Sequence, residues 1–142
     1  MAGLTLAKAK KIIKGAFAEG AKMGLKPLAV IVTDQGGHCI AFERQDGAAP
    51  GRYAIADGKA NAAIVMGVPS SALMERAEQQ AYFVNALSDA YSGRIIPVPG
   101  GVLIKDKKGK TLGAVGVTGD TSENDAAAAV AGIKRAGYRF EA

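Results

Sequence analysis

A chain of 142 residues is the length of one domain, and with 49% hydrophobic residues it can bury a core without disulfide or metal staples. Its single cysteine, Cys39, excludes an intrachain disulfide and a cysteine zinc cluster, and no apolar run approaches the ~20 residues that span a bilayer. The net charge of +5 suits an anionic small molecule, but Lys8, Lys10, Lys11 and Lys14, and Lys105, Lys107, Lys108 and Lys110, have few aromatics among them and read as solvated faces rather than a nucleic-acid surface.

In chain order, Thr5 is a cap for a first helix reaching about Lys22, with Leu6, Ala9, Ile13, Phe17 and Ala21 on its buried face and Gly24 and Pro27 ending it. Leu28 to Thr33 alternates as a strand, Asp34-Gln35-Gly36-Gly37 is a tight turn, and His38 to Gln45 returns as the second strand of a hairpin. A period of two puts His38, Ile40, Phe42 and Arg44 on one face and sends Cys39 to the other, as a small buried residue. Arg52 to Val65 is an Ala-rich helix closed by Gly67 and Pro69. Ser70 or Ser71 caps the next helix, which runs to about Ala90. A short strand is expected at Arg94 to Ile96. Val102 to Lys105 and Thr111 to Val117 form a second hairpin, and Thr121 or Ser122 caps a last helix that ends near Lys134-Arg135. Strands that arrive as hairpins between helices predict an α+β fold, with five strands and four helices in a single domain spanning residues 1–142.

The candidate chemistry is sparse. His38, the only histidine, begins a strand after a turn; it is a candidate haem ligand or proton shuttle, or else an exposed turn residue. Arg44 is a carboxylate fork or a surface arginine. Lys59, among alanines, is a buried low-pKa base or a side chain that snorkels to water. Pro99-Gly100-Gly101 and Thr118-Gly119-Asp120, the latter leading into a helix, either wall an anion site with backbone amides or serve as turns. Tyr82, Phe83 and Val84 span too wide a helical arc for one narrow face, so at least one of them is expected to meet another subunit.

Four segments together carry a resemblance: Val30-Ile31-Val32-Thr33-Asp34-Gln35-Gly36-Gly37-His38, Phe42-Glu43-Arg44-Gln45-Asp46-Gly47-Ala48, Pro99-Gly100-Gly101-Val102 and Gly116-Val117-Thr118-Gly119. Over nearly its whole length the chain resembles the GlcG/HbpS family, which includes the C-terminal domain of PduO-type corrinoid adenosyltransferases. The resemblance implies a profilin-like fold, a five-stranded antiparallel sheet between helices, and homo-oligomers. Some members bind haem, and others belong to bacterial catabolic operons for compounds such as glycolate and propanediol. It further implies that His38, Arg44, Lys59, Pro99, Gly100, Gly101, Thr118 and Gly119 gather near a shared cleft or subunit interface, with His38 as the axial ligand and Arg44 or a lysine facing the haem propionates. The expected function is that of a small oligomeric, cytoplasmic ligand-binding protein. Two alternatives stand beside it. One is a cofactor-free enzyme on a small organic acid, with Arg44 and the glycine amides holding the carboxylate and Lys59 or Asp120 moving a proton; the other is an accessory or scaffold subunit.

Overall fold

A computed structural model describes residues 3–142; Met1 and Ala2, the first two residues of the expected 1–142 domain, lie outside it. The elements are α1 (Leu6–Met23), β1 (Ala29–Asp34), β2 (Cys39–Arg44), α2 (Arg52–Met66), α3 (Ser70–Gln79), α4 (Ala81–Ala90), β3 (Gly101–Lys105), β4 (Thr111–Thr118), α5 (Ser122–Arg135) and β5 (Arg139–Glu141). All strand pairs are antiparallel, in the order β2-β1-β4-β3-β5, which makes the α+β sheet that the hairpin pattern implies.

Alternation along the strands divides the core. Val30, Val32, Val102, Ile104, Val115 and Val117 pack against Ile12, Ile13, Ala128, Ala129 and Ile133 of α1 and α5. Ile31, Leu103 and Ala114 point to the other face, against Ala56, Ala60 and Ala63 of α2. Small residues set the spacing between these layers. A Cβ on Gly116 would meet the carbonyl of Ala56, one on Gly101 would meet the carbonyl of Lys59, and one on Gly132 of α5 would meet the carbonyl of Ile12 in α1.

Local signals hold at the ends of elements. Thr5 Oγ1 accepts from Lys8 N, Thr121 Oγ1 accepts from Asn124 N, and Gly24 and Gly67 close their helices in the left-handed region. Four expectations are corrected. The helix expected from Ser70 to Ala90 is two helices, making five among the described residues: it breaks at Gln80 (φ −138°, ψ 61°), which lets Leu73 and Leu87 converge on Ala62 and Ile95. Ser70 does not cap; Pro69 precedes the helix, and buried Ser70 Oγ donates to Val98 O (2.6 Å) and accepts from Gly101 N (2.7 Å). Arg94 to Ile96 is not a strand but a segment laid on α2, with Ile96 N donating to Gly58 O. The fifth strand is β5, whose three exposed residues are too short to show a period.

The fourth correction concerns β2. Val32 pairs with Ala41 but Thr33 pairs with Cys39, so Ile40 is an extra residue in a bulge. The bulge turns Ile40 toward the α1 and α5 side while Phe42 faces α2, so the expected single face from His38 to Arg44 does not exist. It also leaves Cys39 exposed on an edge strand rather than buried.

Candidate functional site

The sequence-derived residues fall at opposite ends of the sheet. One end is closed. Thr118 pairs across β1 with the row that ends in Arg44, and Val117 N donates to Gly100 O beside it. Lys59 reaches this end from α2 and is 2% exposed. Its Nζ donates to Val117 O at 2.9 Å and to Asp125 Oδ2 of α5 at 3.1 Å, and Asp125 is 1% exposed. The pair therefore passes around the sheet end and ties helices packed on opposite faces. Burial pushes the Lys59 ammonium below its ordinary range; the Asp125 carboxylate opposes that fall, and the nearby Arg52 guanidinium adds to it.

The glycines here make room for protein, not for ligand. A Cβ on Gly100 would lie 2.8 Å from Lys59 Nζ, and Gly119 lies against the carbonyl of Pro27. The Gly101 amide is already bonded to Ser70, and Pro99 is buried beside it. Thr118 Oγ1 accepts from Arg52 Nη1 at 2.8 Å. Asp120 Oδ1 accepts from Lys26 N, and its Oδ2 accepts from Thr121 N and Asn124 Nδ2. The Asn124 bond, with those two amides, holds its carboxyl down to about 2, so it is a weak base that locks the loop entering α5. Lys59 is thus buried with both its bonds made to protein, and Asp120 is stabilised as its anion. Arg44 is exposed at the same end and lines an open groove of about 560 Å³ with Phe17, Leu25, Pro27 and Gln45.

The other end is open. The His38 imidazole is 82% exposed, with Nδ1 3.5 Å from Asp34 Oδ1. That oxygen is fixed by the amides of Gly36 (2.9 Å) and His38 (3.0 Å). The ring packs on Gly36, where a Cβ would come within 3.0 Å of Nδ1. A groove of about 270 Å³ runs beside it, lined by Leu4, Leu112, Gly36 and His38 among others. At ~3.3 Å per residue, His38 and Arg44 are separated by about 20 Å along β2, so within one chain they do not share a cleft. Among the described residues no cluster of three or more His, Cys, Asp or Glu could hold a metal ion.

Sequence reasoning missed Asp57, Asn61 and Arg94. Arg94 Nε and Nη2 donate to both carboxylate oxygens of Asp57 (2.8 and 3.0 Å), and Nη2 also donates to Gly37 O (3.0 Å). Asn61 Nδ2 donates to Arg94 O at 3.0 Å. The available signal was the pair of polar residues four apart in an otherwise Ala-rich helix, which marks a second partnered face.

Comparison with known proteins agrees with this architecture. Residues 4–134 match the family described as haem degrading protein HbpS-like, and the chain belongs to that family. The structure of HbpS is 30% identical, with a TM-score of 0.81 over 94% of this chain and 90% of that one. A double mutant of Streptomyces reticuli HbpS matches at the same identity and TM-score, covering 94% and 87%. A PduOC–haem complex, at 19% identity, shares the fold with a TM-score of 0.86 over 99% of both chains. No curated protein sequence matches the chain.

Proposed function

We propose that this chain is a haem-binding protein that uses His38 as the axial ligand at the β1–β2 turn. One observation carries the reading: an exposed imidazole whose Nδ1 faces a fixed carboxylate, Asp34. A ligating histidine commonly donates its second ring N–H to such a group, which sets the tautomer and leaves Nε2 for the metal. The apolar floor of Leu4 and Leu112 fits a macrocycle, and relatives of this fold include HbpS and a haem complex. At about 270 Å³ the groove is smaller than pockets that engulf a ligand, so it would take one face or edge of haem and leave the rest to solvent or a second subunit. Arg44 would not contact the propionates of a haem on His38 of the same chain. When bound, haem iron supplies redox and oxygen chemistry; the protein supplies the ligand, its orientation and the polarity around it.

Titration with haemin tests this. A saturable Soret shift is expected for the unaltered chain, and His38→Ala is expected to lose it. Retention of the shift in His38→Ala overturns the assignment.

Self-association and a reducing, cytoplasmic location belong to the same proposal. The first rests on Tyr82, 73% exposed while Val84 is buried, and light scattering giving a monomer would remove it. The second rests on Cys39, exposed and unpaired. Cell fractionation that recovers the chain outside the cytoplasm would refute it.

A further inference from the structure

The turn that carries His38 is held from both sides. From within, Asp34 O accepts from Gly37 N at 3.0 Å, Asp34 N donates to His38 O at 2.9 Å, and the Asp34 carboxylate takes the His38 amide. From outside, the contact comes from a segment nearly sixty residues further along the chain. Gly37 sits at φ 82°, in the left-handed region that glycine tolerates, and its carbonyl oxygen receives Arg94 Nη2. The same guanidinium is forked onto Asp57 of α2. Asn61, one turn beyond Asp57, holds the Arg94 carbonyl and lies against Gly37.

This geometry has a consequence for the imidazole. The peptide between Gly37 and His38 fixes the direction in which the His38 Cα–Cβ bond leaves the chain. Its oxygen is bonded to Arg94, and Arg94 is anchored to a helix rather than to another loop. A planar guanidinium serves both ends at once, because two parallel N–H bonds go to the carboxylate and the second Nη2 hydrogen goes to the carbonyl. A lysine offers one point charge and cannot reproduce that fork.

We infer that Arg94 is a positioning residue for His38, clamping the Gly37–His38 peptide to α2 so that the imidazole is presented in one orientation to an incoming haem. The inference rests on the proposed use of His38 as the axial ligand. Loss of a partner behind a ligating histidine lowers metal affinity by about 10–100-fold, and an effect toward the lower figure is expected here, since Asp34 still supports the ring.

The test uses the full chain in Arg94→Ala and Arg94→Lys variants, with His38→Ala beside them. Amide hydrogen exchange without haem is read at Gly37 and His38, followed by haemin titration and the electron paramagnetic resonance signature of the ferric complex. Expected for Arg94→Ala are faster exchange at those two amides with α1 unchanged, affinity about tenfold weaker, and a mixture of axial states in place of one. Arg94→Lys is expected to restore stability through Asp57 without restoring the single axial state. If the alanine variant does not fold, Arg94→Lys alone decides. A folded variant with a lowered melting temperature but unchanged exchange at the turn and an unchanged signature overturns the clamp, because that is what a merely structural contact would give. Full haem binding by His38→Ala overturns the axial assignment itself, and the clamp's purpose with it; normal loss there with an unaffected Arg94→Ala overturns the clamp alone.

Discussion

The two ends of the sheet carry similar sequence signals and opposite structures. Each has paired glycines beside an ionisable residue: Gly36-Gly37 next to His38 in the sequence, and Gly100-Gly101 next to Lys59 in the fold. At the second end the glycines admit a neighbouring helix and a lysine side chain, and Lys59, Asp125 and the Gly101 amide are satisfied by protein, while Arg44 stays exposed on the groove outside. At the first end the glycines shape a turn, and the imidazole above them projects into water with a carboxylate at its back. Glycine therefore marks close approach in both places. What differs is whether the thing approaching is the chain itself or something from outside.

If this contrast is right, substitutions at the closed end change stability and leave haem binding per folded molecule intact. The largest effect is expected for Lys59→Met, which strands the buried Asp125 carboxylate and should cost about 3–5 kcal/mol in chemical denaturation. Adding Asp125→Leu should recover most of that loss, since two apolar groups need no partner; failure to recover would mean that the pair does more than satisfy itself. Next comes Gly101→Ala, whose methyl would meet the Lys59 carbonyl and should cost about 1–3 kcal/mol by forcing α2 from the sheet. An unchanged denaturation midpoint would break the packing account of this glycine.

The smallest effect concerns acid. The Asp120 carboxyl is held down to about 2 from 3.8, so its contribution is fully present above 3.8 and is lost as the pH falls through about 2. Asp120→Asn should flatten the pH dependence of stability within that window and leave the neutral haemin titration unaltered. A change in turnover or ligand binding at neutral pH would return Asp120 to the list of active groups.

How much of this was legible depended on how local each cause was. The caps at Thr5 and Thr121, the stops at Gly24 and Gly67 and the two hairpins are decided within a few residues. The break at Gln80 is not: nothing in that stretch forbids a continuous helix, and the bend follows from Leu73 and Leu87 sharing a floor made by Ala62 and Ile95. The bulge at Ile40 likewise appears only when β2 is set against β1. Lys59 could be suspected of burial from its alanine neighbours, yet its partner lies 66 residues away. His38 stood out as the lone histidine; the carboxylate behind it was visible as Asp34, but the arginine beyond it was hidden in a segment taken for a strand.

The lysine that rounds the sheet end also bears on how the molecule comes apart. The sheet has a separate apolar cluster on each side, and two such clusters could in principle melt at different times. Because Lys59 belongs to the helix over one cluster and Asp125 to the helix over the other, releasing either helix leaves the charge on the other buried without its counterion. Neither side can open alone without that penalty, and the chain is thereby biased toward a single, cooperative unfolding event.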